Sequence, residues 1–158
     1  MRHKPAFYLL IFLLGFLSIG AIFGGLAFII SPDGDLIKMP LSNLGSSPFN
    51  NFLIPGIILF SILGVFPAFM IYALIKKPSI KFFESLNLFK DMHWSWSFCI
   101  YVSFALAIWI QAEMVFLNSA HWLQSFYMVY SQVMILIAIL PGLRKDFKKE
   151  ERDTYRGT

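Results

Sequence analysis

Residues 109–127 read WIQAEMVFLNSAHWLQSFY, two apolar runs separated only by Asn118 and Ser119. Asn suits a helix end and Ser a helix N-cap, so the flanking runs are expected to fold back on each other as a tight antiparallel hairpin. The stretch also holds Glu113, the one carboxylate inside any long apolar run of the chain. An ionisable group in a membrane span costs roughly 2.5 to 3.5 kcal/mol at mid-depth on insertion scales, so it is expected to face the bundle interior and to take a partner there. Gln111, Asn118, His121 and Gln124 surround it in sequence. At 1.5 Å per residue Glu113 falls roughly 6 to 9 Å below the outer surface, shallow enough for water to reach.

The hairpin runs, 94–117 and 120–140, are preceded by two more, 6–30 and 52–75. About 20 helical residues cross a hydrocarbon core of about 30 Å, and each run is long enough. None alternates polar and apolar residues in the manner of barrel strands. Hydrophobic residues make up 58% of the chain and charged residues only 14%, against about a quarter charged in soluble domains. Lipid is therefore the expected solvent. The expected fold class is an all-α membrane protein: one four-transmembrane-helix bundle with a structured outer loop, a short interfacial inner helix and a charged cytoplasmic tail over 141–158.

Charge placement sets the expected orientation, because Lys and Arg near span ends stay on the cytoplasmic side. Twelve of the thirteen basic residues flank one side, before the first run, between the second and third, and after the fourth; Lys38 alone is on the other. Both termini are expected in the cytoplasm, with the chain a multi-pass protein of the cell (inner) membrane. The excess positive charge is read as a topology signal and an attraction to anionic headgroups, not as nucleic-acid binding.

The basic start and apolar run of 6–30 resemble a secretory signal, but a run of 25 residues exceeds the about 7 to 15 of a signal core. It reads as a retained span. Gly20 and Gly24 in it form a G-x-x-x-G, extended by Gly15 and Gly25, which lets another helix approach closely; packing within the chain is preferred to a dimer contact. The loop 31–51 opens on Ser-Pro-Asp-Gly and is too apolar for a free tether, so it is expected to fold over the outer helix ends as a lid. Pro67 inside the second run predicts a bend, since it cannot donate to the Leu63 carbonyl and its ring pushes against that group. Between Pro78 and His93, Phe82, Phe83, Leu86 and Phe89 recur at helical spacing, which suits a short helix in the inner headgroup layer. The tail from Arg144 alternates both signs and reads as a solvated or frayed helix.

Little of this carries chemistry. Cys99 is the single cysteine, which excludes a disulfide or dithiol pair within the chain and reads as a small apolar filler. No metal centre is expected, because His3 and His93 fall on the side opposite Glu113 and His121. Asp33, Asp35 and Asn43 match no calcium-loop spacing, and no G-x-S-x-G or Ser-x-x-Lys motif supplies a nucleophile. Glu113 with His121 makes either an acid/base pair or a structural clamp, the clamp being preferred. Gln132 reads as an interhelical hydrogen-bond donor.

The segment SPFNNFLIPG over 47–56, preceded by Pro32-Asp33-Gly34 and Met39-Pro40-Leu41, resembles the outer loop and second-span entry of a broad group of uncharacterised small bacterial four-helix integral membrane proteins. Trp109, Glu113, Trp122, Leu123, Gln124 and Tyr127 also match the pattern of that group, with Ser125 where a proline often follows. The resemblance implies a fold and a membrane address, and no functional role. The expected function is accordingly that of a non-enzymatic membrane protein, structural or interacting with a partner, without cofactor; the alternative is a small transporter subunit or ligand-binding protein using Glu113 in an outward-facing pocket. Membrane lipids are the expected partners, with a second copy or another protein as further possibilities.

Overall fold

The computed structural model describes residues 4–45, 47–116 and 122–149. Four of its helices are long and apolar enough to cross a membrane: α1 (Lys4–Ile30), α2 (Leu53–Lys76), α4 (Trp94–Phe116) and α5 (Trp122–Ile139). Two short helices, α3 (Lys81–Ser85) and α6 (Pro141–Asp146), lie at the end of the bundle opposite the 31–52 loop. No strand occurs among the described residues, only an isolated bridge between Met92 and Lys148.

α1 packs chiefly on α2, and α4 on α5. The first pairing depends on three glycines. A Cβ on Gly25 would sit 2.7 Å from the Phe60 backbone nitrogen, one on Gly56 would sit 2.6 Å from the Phe28 Cβ, and one on Gly64 would sit 2.8 Å from the Ile22 Cγ1. Backbones can approach this closely only where no side chain stands between them. Gly20 and Gly24 are less constrained, a Cβ on either meeting its nearest neighbour at 3.4 Å.

α2 changes winding in its middle. Residues Leu59–Val65 are π-helical, flanked by α-helical Leu53–Ile58 and Phe66–Lys76. The stretch ends just ahead of Pro67, which lies in the first turn of the following α segment, where a missing N–H loses little. The Gly64 carbonyl inside the stretch accepts a buried hydrogen bond from Ser18 Oγ of α1 at 2.7 Å. Irregular winding is thus matched by a side chain from the neighbouring helix.

Solid packing concentrates away from the loop. Leu10, Leu14, Met70, Leu74, Met134 and Leu143 are fully buried there, and Trp96 Nε1 ties α4 to α5 by donating to the Ala138 carbonyl at 2.8 Å. The 141–149 segment is part of this structure, so the solvated or frayed tail expected from its mixed charges is corrected over that range. Leu143 and Phe147 are buried, Lys77 Nζ donates to the Asp146 carbonyl at 2.6 Å, and Lys149 pairs with Glu84 at 2.7 Å. Two apolar side chains in an otherwise charged segment were enough to dock it. Phe83 is drawn inward by stacking on Trp94 at 4.6 Å, whereas Phe82, Leu86 and Leu88 remain exposed.

At the other end the 31–52 loop is folded, not free. Gly34 has φ 81°, and a Cβ there would lie 2.0 Å from the Met39 carbonyl oxygen, so only glycine fits. The turn is closed by the Met39 N–H donating to the Gly34 carbonyl and the Phe52 N–H to that of Pro32. Phe28, Leu44 and Phe52 then form a small second core, with Phe28 and Phe52 stacked at 4.8 Å.

Candidate functional site

Trp109 and Glu113 are four residues apart in α4 and therefore share one face of the helix. That face looks into a cavity of about 270 Å³ between all four long helices at the loop end. α1 contributes Leu17, Gly20 and Ala21, α2 Leu59, and α5 Leu123, Gln124 and Tyr127, while Met39 reaches in from the loop. Below it, the Tyr130 hydroxyl donates to the Leu13 carbonyl at 2.6 Å and joins α5 to α1. A second, smaller pocket of about 60 Å³ adjoins it beneath Leu44, Phe49 and Phe52. Met39, Trp109 and Glu113 line both, so the carboxylate stands where the two meet.

The cavity exists because small residues line its α1 side. At Gly20 a Cβ would come 3.4 Å from the Tyr127 hydroxyl, so even a methyl group would take up the gap between the two helices there. Among the described residues the lining is apolar apart from Glu113, Gln124, the Trp109 indole N–H and the Tyr127 hydroxyl. No hydrogen bond or ion pair joins Glu113 to another described residue, and the spans contribute no Lys or Arg to this cavity. A partly buried carboxylate in such surroundings gains from a hydrogen-bond donor or a cation beside it.

Of the residues singled out from sequence, Glu113 and Gln124 share this cavity. Gln111 does not: it is exposed and lies along a shallow outer groove with Ile108 and Val115. Two residues of helix rotate a side chain by about 200°, so Gln111 and Glu113 necessarily diverge. Asn118 and His121 lie outside the described residues. Gln132, expected to bond between helices, is instead exposed, because α5 turns Gln124, Ser131 and Met134 inward. Trp109, Tyr127 and Met39 also line the cavity, without being marked by charge or by a buried amide in the sequence. Spacing of four from Glu113 and three from Gln124 pointed to the first two; nothing local pointed to Met39.

Elsewhere, His93 Nδ1 is 2.8 Å from Ser95 Oγ at the opposite end of the bundle. Among the described residues no three His, Cys, Asp or Glu side chains converge to hold a metal. Comparison with protein-family models, with curated proteins and with solved structures finds no match to this chain.

Proposed function

We propose that this chain is a multi-pass protein of the cell membrane, with both termini cytoplasmic, that binds a small ligand in a pocket beneath its outer loop. The observation that carries this reading is Glu113 lining a cavity of about 270 Å³ without a hydrogen bond to any described residue. The same cavity brings Trp109, Gln124 and Tyr127 beside the carboxylate, which supports a binding role for it. The apolar outer faces of the four long helices, such as Phe12, Phe23, Ile108 and Leu136, support lipid contact. The exposed Phe82, Leu86 and Leu88 beside Lys81 and Lys90 suit the cytoplasmic headgroup layer. The basic asymmetry and the resemblance to small four-helix membrane proteins support the address.

Two measurements test this. In a Cys99→Ala background, an impermeant maleimide added to intact cells should label Ser42→Cys and spare Ser79→Cys; the reverse pattern would overturn the orientation. Glu113→Gln should keep the thermal stability of the parent in detergent while removing the growth phenotype that the intact gene supports. Retention of that phenotype by a folded Glu113→Gln protein would sink the ligand reading.

A further inference from the structure

The lining of the cavity points to a class of ligand. We propose that the pocket takes an organic cation with a compact apolar body, its positive charge held between the Glu113 carboxylate and the Trp109 and Tyr127 rings. This rests on the ligand-binding reading above and narrows it.

Three features combine. Among the described residues lining the cavity none carries a positive charge, so a cation is the ligand that pairs the partly buried carboxylate. Trp109 and Tyr127 line the same cavity, and the face of an aromatic ring attracts an ammonium group, most strongly when both are shielded from water. The rest of the wall is aliphatic, with Leu17, Leu59 and Leu123, and suits a hydrocarbon body. A space of about 270 Å³ admits one small amphiphilic ion. Met39 roofs this cavity and lines the smaller one beside it, so the loop can bear on the ligand directly.

The test uses the full chain in detergent and two probes of nearly equal shape. Benzyltrimethylammonium carries the charge, and neopentylbenzene replaces its nitrogen with carbon. Binding is followed by calorimetry. The expected result is that the cation binds at least tenfold tighter than its neutral isostere, and that Glu113→Gln removes this preference while leaving the isostere's affinity unchanged. Ala21→Met, which fills the cavity from α1, should weaken both probes. Equal binding of the two probes, unaffected by Glu113→Gln, would overturn the cation assignment and leave a general apolar pocket in place. Failure of both probes to bind a folded parent would overturn the assignment and the ligand-binding reading together.

Discussion

Ser18 and Gly64, 46 residues apart, are joined by a buried hydrogen bond in which the serine hydroxyl donates to the glycine carbonyl at 2.7 Å. The acceptor belongs to the π-helical stretch of α2, three residues before the proline that limits how that helix can continue. Side-chain hydrogen bonds between membrane helices average about 0.6 kcal/mol and reach about 1.7. Ser18→Ala should therefore lower stability by an amount within that range, toward its upper end because the carbonyl is left buried. Equilibrium unfolding in mixed micelles measures it, and no change would mean that another donor serves Gly64.

Gly24 and Gly25 are neighbours in sequence with opposite expected tolerance. A methyl group on Gly25 would sit 2.7 Å from the Phe60 nitrogen and 2.8 Å from its Cα. Those are backbone atoms and cannot rotate away. Gly25→Ala should cost at least the about 1 to 3 kcal/mol typical of overpacking, whereas Gly24→Ala, meeting only the tip of Leu59 at 3.4 Å, should be close to neutral. Thermal midpoints of the two variants side by side decide it, and equal values would contradict the close approach of α1 and α2.

Phe147 should anchor the 141–149 segment. It is buried, stacks on Phe7 at 6.3 Å and lies under the Lys77 ammonium at 4.3 Å. Its carbonyl also accepts from the His93 N–H at 2.8 Å. Phe147→Ala should destabilise the protein by about 3 to 5 kcal/mol, as loss of a buried ring commonly does. Limited proteolysis should then cut near Lys145 and Lys148 in the variant and not in the parent; equal resistance would mean that the ring is dispensable.

Acid should loosen the same end of the molecule. Burial pushes the Glu84 carboxyl up, but the Lys149 hydrogen bond and charge, with the Trp94 N–H, outweigh it and hold Glu84 below its ordinary value. A depressed carboxyl contributes stability that is complete above its unfolded pKa and is lost as pH falls through the folded one. His93 acts in the same sense: burial lowers it, against the raising effect of Glu84, so below about 6.5, the ordinary imidazole value, protonation favours the undocked segment. The protection factors of the Lys149 and His93 amides, both bonded across this junction, should fall between pH 7 and pH 4 once the intrinsic exchange rate at each pH is divided out. Glu84→Gln should remove the more acidic part of that change, and a flat profile in the parent would count against the ion pair.

The helices were legible because each is a local property. An apolar run of sufficient length satisfies its own backbone wherever water is excluded, and such runs are visible one at a time. The folded outer loop was legible for a similar reason: apolar residues recurring between turn signals have to be covered by something nearby. Glu113 could be singled out as the sole carboxylate in a run, and its shared face with Trp109 follows from helical spacing.

Sequence alone therefore determined the number and approximate extent of the long helices and the residue around which a site would form. The tertiary structure decided what surrounds that residue. Whether Glu113 meets a bond or a cavity depends on how four helices rotate about their axes, and that is set by summed contacts such as Gly25 against Phe60 and Ser18 against Gly64. The same rotation turned Gln111 and Gln132 outward, and gave Gly25, Gly56 and Gly64 the closest approaches while Gly20 and Gly24 kept ordinary contacts. Docking of 141–149 was hidden for the converse reason. Charge pattern dominates the reading of that segment, while Phe147 meets Phe7, Lys77 and the His93 N–H, all far from it in sequence.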